Sequence, residues 1–163
     1  MDWNLKDLYS SIESKEIKYD FVKLEKRSLK FNKKYRNKIS ENSSAKTVLE
    51  SIVELEKIYE GLGKLSSYSS LLFAADTNNE KYSKIYQDST EKISNIRKNL
   101  IFYFLSWNKI SERKAKKIYS NPILVKYSHL LKSERKYKKY MLSEPEEKIL
   151  DKKSITSSRA FNR

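Results

Sequence analysis

The stretch KEIKYDFVKLEKRSLKFNKKYRNKI, residues 15–39, decides the fold class. Ile17, Phe21, Leu24, Ser28, Phe31 and Tyr35 recur at steps of four, three, four, three and four. Only a helix brings such a series onto one stripe, and no strand pairing uses that period. Ser14 stands where an N-cap is wanted, so a helix is expected from Lys15 to about Ile39. Lys23, Lys26, Lys30, Lys33 and Lys34 fall outside the stripe. KFNKKYRNK within it has the look of an aromatic-interleaved basic patch. The simpler reading is favoured there: aromatics face a core and lysines face water.

The same logic extends along the chain. SENSS, 40–44, is a loop by composition. A second helix is expected from Ala45 to Ala75, with Val48, Ile52, Leu55, Tyr59 and Leu62 as its stripe. Gly61 and Gly63 lie inside it and cost about 1 kcal/mol each relative to Ala, which a close helix contact or a bend would explain. SSYSSLLFAAD, 66–76, is rich in small residues and is expected to be buried. Thr77 and Glu80 form a capping-box pattern after Asp76, opening a third helix that runs to about Trp107. Its face is marked by Tyr82, Ile85, Tyr86, Ser89, Ile93, Ile96, Leu100, Phe104 and Trp107. NLIFYFLSW, 99–107, is apolar nearly all round and should be enclosed on several sides.

Ser111 caps a short helix, ERKAKKIY, ended by Asn121 and Pro122. Pro122 suits the first turn of the next helix, ILVKYSHLLKSERKYKKYML, with Ile123, Tyr127, Leu130 and Leu131 as its apolar side. Ser143 and Glu146 form a second capping box, with Pro145 in the first turn. Glu144, Glu146 and Glu147 favour the positive end of that helix, and Lys152 and Lys153 the other. Trp3, Leu5, Leu8 and Tyr9 should pin the N-terminal segment onto the body.

Composition agrees. The 163 residues contain two Gly and two Pro, too few for the turns of an all-β or doubly wound fold. The expected class is all-α, an antiparallel bundle of long helices. There is no Cys, so disulfides, thiolate zinc sites and a Cys nucleophile are excluded. No run approaches 18 apolar residues, and a reducing, cytoplasmic setting is expected with no membrane partner.

The net charge is +14, and residues 111–163 hold 15 Lys and Arg against 6 Asp and Glu. A nucleic-acid footprint is one reading. Most of these residues are Lys spread singly along helical faces, and Arg reads phosphates and bases better. Nucleic acid is therefore not expected as a partner, although KSERKYKK, 132–139, keeps open a basic binding module for an acidic partner or nucleic acid. A helical oligomerisation domain is a third reading.

The catalytic inventory is thin. His129 is the only histidine, so a zinc triad of protein ligands cannot be assembled with Cys also absent. A serine triad would need His129 as its base, and its place in YSHLLK reads as an ordinary helix position. Gly61 and Gly63 give G-L-G-K without phosphate-loop spacing. Glu54 with Glu56, and Glu144 with Glu146 and Glu147, read as solvated faces or a cap. No catalytic, cofactor-binding or metal residue is expected in this chain.

One resemblance adds to this. SEPEEKIL, followed by KS-x-T and S-x-AFNR, resembles the oligoendopeptidase F family of zinc metallopeptidases, relatives of thimet oligopeptidase. WNLKDLY, 3–9, resembles that family's opening W-[DN]-L-x-x-L-[YF]. GLGKLSSYSSLLFAADTNNEKY, 61–82, resembles its G-x-L-x-x-Y-x-x-L-x-x-x-x-D-T segment, and YSHLLKSERKYKKYMLSEPEEKIL, 127–150, the stretch that leads into L-S-E-P-E-E. The resemblance runs the length of the chain, and SEPEEKIL is its most specific part. It implies a clamshell-like helical enzyme that cleaves short peptides, with zinc held by H-E-x-x-H and a downstream Glu. None of those positions is present here, so no zinc ligand or catalytic residue carries over.

The chain would then be the N-terminal, non-catalytic portion of such an enzyme, forming one wall of the substrate channel. It would be inactive alone, with the catalytic remainder as its partner and zinc only in the intact protein. Residues 1–153 would form the helical domain. Residues 154–163 would be a connector and the start of a further helix, capped by Ser157 or Ser158, with Ala160 and Phe161 beginning its apolar face. Uncovered apolar surface is expected around NLIFYFLSW and that C-terminal turn.

Overall fold

A computed structural model describes residues 4–156 of the chain. Trp3, Ser157, Ser158, Ala160 and Phe161 lie outside the described residues. Among those described, every regular element is helical. They are α1 (Lys15–Tyr35), α2 (Ala45–Ala75), α3 (Glu80–Arg97), α4 (Phe102–Lys109), α5 (Glu112–Tyr119), α6 (Val125–Glu134) and α7 (Glu144–Thr156), with 3-10 segments at Pro122–Leu124 and Arg135–Tyr140. The all-α expectation holds.

The first three helices form the framework. Lys64 pairs with Asp20 at 3.9 Å and Lys34 with Glu54 at 3.0 Å, so α2 runs antiparallel to α1. Phe73 stacks on Tyr86 at 5.2 Å, where the chain reverses from α2 into α3. Asn99 donates to Ser28 Oγ and Lys92 lies over Phe21, so α3 runs parallel to α1. Where α1 crosses α2, a Cβ on Gly61 would lie 2.6 Å from Leu24 Cδ2. Gly61 therefore serves close approach, whereas Gly63 has nothing within 4 Å of such a Cβ.

The α1 stripe is buried as its spacing predicts: Phe21, Leu24, Ser28, Phe31 and Tyr35 face inward, with Ile17 half-buried. Phe31 centres an aromatic cluster, 4.9 Å from Tyr35, 5.9 Å from Phe102 and 5.7 Å from Tyr103. The Lys23, Lys26, Lys30, Lys33 and Lys34 side chains are exposed. On the N-terminal segment Tyr9 is buried, its hydroxyl donating to Asp20 at 2.8 Å, and Leu5 and Leu8 pack against the core.

Several boundaries differ from the sequence reading, each for a local reason. Helix α1 stops at Tyr35, and Ile39 is buried from a turn instead. Asn79, not Thr77, caps α3: its Oδ1 accepts from the Lys81 and Tyr82 amides at 3.0 and 3.3 Å. The Asp76 carboxylate holds the Asn78 amide at 3.1 Å, which turns the chain through residue 77 before the helix can begin. The long third helix is divided at 98–101. Asn32 Nδ2 takes the Asn99 carbonyl at 2.7 Å, and the Asn99 and Leu100 amides tighten onto Ile96 and Arg97 three residues back.

Helix α2 matches its expected ends, with Ser44 capping the Thr47 amide at 3.0 Å. Within it Ile58 is buried and Tyr59 is 39% exposed, the reverse of the expected stripe position. In SSYSSLLFAAD only Tyr68, Ser69 and Leu72 are buried, so the helix encloses one face and not the whole segment. NLIFYFLSW is enclosed: Leu100, Phe102, Tyr103 and Trp107 are buried, and Ile101, Phe104 and Leu105 half-buried.

Candidate functional site

The C-terminal elements fold back on this framework and build a face with two sizeable concavities; another, of about 350 Å³, lies between α1 and α3 against Phe21, Lys92 and Ile96. Trp107 Nε1 donates to the Leu131 carbonyl at 2.9 Å, fixing α6 against α4. Arg135 is 8% exposed, and its guanidinium donates to the carbonyls of Trp107 (3.0 Å) and Ile110 (2.9 Å) and to Glu112. Drawn inward this way, Arg135 ends α6 at Glu134, and the chain tightens into a 3-10 segment where a continuous helix was expected. Of the Ser143 and Glu146 box, the half supplied by Glu146 forms: its carboxylate accepts from the Ser143 amide at 2.8 Å and from the Ser143 hydroxyl. Helix α7 is docked by Glu144, gripped bidentately by Arg36 at 2.8 and 2.9 Å. That grip lowers the Glu144 carboxyl to about 2, with Lys148 assisting. Asp151 accepts from Ser94 about two turns further along.

Between α2, α4 and α6 lies a cavity of about 520 Å³, lined by Ile52, Leu55, Tyr59, Phe104, Tyr127 and Leu130. A second, of about 400 Å³, opens between α2, the end of α3 and α7, against Ile101, Leu150, Arg97 and Asp151. Tyr59 lines both, so the two adjoin as a groove of mixed lining, apolar at Ile52, Leu55 and Phe104 and charged at Glu60, Arg97, Glu147 and Asp151. Burial pushes the Tyr59 phenol up, and the Glu134 carboxyl at the end of α6 is also pushed up by burial. On the rim, Glu56 accepts from the Tyr127 hydroxyl and from Lys126 at 3.1 Å, which lowers its carboxyl. Arg97 Nε is buried with no hydrogen-bond partner.

This arrangement can hold apolar side chains and a few polar groups of an extended segment, and it carries no nucleophile with a base beside it. His129 is exposed on α6, with no hydrogen bond among the described residues. Gly61 and Gly63 are internal to α2, away from any phosphate-loop geometry. Glu54 is engaged by Lys34 and Tyr35, and Glu144 and Glu146 by their cap and docking partners. Among the described residues no three His, Cys, Asp or Glu side chains are grouped to hold a metal ion. The zinc that the resemblance implies has no fitting donor set among the described residues. No described helix is long and apolar enough to cross a membrane.

The groove was only partly legible in sequence. Tyr59 and Leu130 were expected on buried stripes and instead stand at its edge, while Ile123, also expected inside, is exposed. Leu130 and Leu131 are consecutive, and a helix turns neighbours about 100° apart, so one of them had to face out.

The described residues thus make a helical region with a groove and no assembled catalytic group. Residues 107–163 match the family model described as Oligopeptidase F, an N-terminal region of M3 peptidases. The match takes in 127–150 with SEPEEKIL, the most specific of the resembling stretches, and leaves 3–9 and 61–82 outside it. Comparison with curated proteins and with solved structures finds no match.

Proposed function

We propose that this chain is the non-catalytic N-terminal portion of a cytoplasmic, zinc-dependent oligoendopeptidase that hydrolyses short peptides. In this reading it forms a wall of the substrate channel and is inactive without its catalytic remainder, where the zinc would be held. The observation that carries the reading is the family match over residues 107–163. That segment supplies α6 and α7, the two helices that close the groove around Tyr59. The groove supports the wall role in kind: apolar residues such as Ile52, Leu55 and Phe104 stand beside charged ones such as Glu56, Lys126 and Arg97, which suits passing peptides of varied sequence. The exposed Leu130 and Leu150 lie on this face, next to NLIFYFLSW and not within it.

The test is an assay of the purified chain on a mixture of internally quenched short peptides, with and without added zinc. No turnover above buffer is expected. Hydrolysis that scales with the chain and survives repurification would overturn the reading.

A further inference from the structure

Two stretches of this chain interleave aromatics with basic residues, and the structure treats them oppositely. In KFNKKYRNK the rings are core: Phe31 is 0% and Tyr35 1% exposed. In RKYKKY, Arg135–Tyr140, the cation is core and the rings are outside. Arg135 is buried on backbone carbonyls, while Tyr137 is 63% and Tyr140 69% exposed. Lys136, Lys138 and Lys139 are exposed with them. The Lys139 ammonium lies over the Tyr140 ring at 4.8 Å, so a cation already stands beside an exposed aromatic face here.

Geometry orders the exposed residues. The segment is a 3-10 helix, in which residues i and i+3 eclipse at a rise of about 2 Å per residue. Lys136 and Lys139 therefore share one ridge, and Tyr137 and Tyr140 the neighbouring one. Along each ridge the spacing is about 6 Å. Stacked nucleobases repeat at about 3.4 Å, so a planar base has room beside or between rings spaced this way. The lysine ridge repeats on the scale of successive backbone phosphates. The segment is anchored: Arg135 ties its start to Glu112, and the Met141 amide bonds the Lys138 carbonyl at 3.4 Å. Of the nearby acids, Glu144 is held by Arg36 and Lys148, while Glu146 and Glu147 accept from the Ser143 and Leu142 amides just past the segment and Glu134 precedes it, so Lys136, Lys138 and Lys139 stand among partly engaged carboxylates.

We propose that the exposed Tyr137–Tyr140 and Lys136–Lys139 ridges bind single-stranded nucleic acid, the tyrosines stacking on bases and the lysines neutralising phosphates. Such a surface reads no sequence. Its affinity is weak and salt-dependent, with a slope of log K on log salt of about −0.7 for each phosphate neutralised. An acidic peptide would use the lysines and leave the rings idle, and a duplex would hide its base faces.

The experiment is fluorescence anisotropy with the 163-residue chain and four probes: a labelled 12-mer oligouridylate, a 12-mer oligothymidylate, a 12-base-pair duplex and a polyglutamate peptide, sizes of about one binding-site span. Binding of both single strands at low salt, several-fold tighter than duplex or polyglutamate, is expected. Tyr137→Ala with Tyr140→Ala should weaken single-strand binding about tenfold or more while leaving polyglutamate binding unchanged. Lys136→Glu with Lys139→Glu should abolish single-strand binding. Unchanged circular dichroism and Tm are expected for both pairs, since all four side chains are exposed. Oligouridylate preferred over oligothymidylate would assign the partner as RNA through its 2′-hydroxyl, and equal binding would assign backbone and stacking alone. No binding at low salt, or single-strand binding that ignores the tyrosines, would overturn the proposal.

Discussion

Gly61 and Gly63 sit two residues apart in one helix and predict opposite responses to the same substitution. Gly63→Ala adds a methyl group with nothing within 4 Å. It should stabilise by about 1 kcal/mol, the difference in helix propensity. Gly61→Ala gains the same propensity but drives its methyl to 2.6 Å from Leu24 Cδ2, on a side chain only 4% exposed. Overpacking of that kind costs about 1–3 kcal/mol, so the net effect should lie between neutral and about 2 kcal/mol destabilising. Leu24→Ala alone should cost about 2–5 kcal/mol through the cavity it leaves. In that background the methyl of Gly61→Ala enters free space, and the substitution should become stabilising by about 1 kcal/mol. The double-mutant coupling is then about 1–3 kcal/mol in favour of the pair. Urea unfolding followed by circular dichroism measures all five proteins. A Gly61→Ala variant as stabilised as Gly63→Ala, with no coupling to Leu24, would refute the packing of α1 on α2 at this crossing.

Three further outcomes follow from the side-chain network. Arg135→Ala strands the carbonyls of Trp107 and Ile110 in a buried site and should cost about 3 kcal/mol in thermal or urea unfolding, with Arg135→Lys recovering part of it. Asn79→Ala removes the α3 cap and should cost about 1 kcal/mol, whereas Thr77→Ala should be near neutral. Because Arg36 depresses the Glu144 carboxyl to about 2, its contribution is present above the ordinary carboxylate range and is lost as pH falls toward that value. Between pH 5 and pH 2, wild type should therefore lose about 1 kcal/mol more stability than Glu144→Gln, measured by unfolding at each pH across that range of carboxylate titration.

What the sequence revealed and what it concealed divide along physical lines. Periodicity found the α1 stripe and both ends of α2, because burial of a helical face is written into spacing. Caps at Ser14 and Ser111, and the pairing of Ser143 with Glu146, were legible because their partners are local, whereas at Ser44 only the loop composition marked the boundary. Asn79 was missed because the Thr77 and Glu80 spacing fits a capping box, and only the turn made by the Asp76 side chain moves the helix start past it. The division of the third helix at 98–101 depends on Ser28 and Asn32, some 70 residues away, and no local pattern announces it. Arg135 looked like one more surface cation, since its carbonyl partners are supplied by a different helix. The groove around Tyr59 is a tertiary product of α2, α4, α6 and α7, and only the adjacency of Leu130 and Leu131 hinted at it.

The account's central claim is that this helical region belongs to a peptidase whose chemistry lies elsewhere. Reading the encoding DNA onward from codon 163 tests it most directly. The account predicts a continuation that encodes H-E-x-x-H with a downstream Glu. A long continuation with no such motif, or an intact gene whose product carries none, would contradict it.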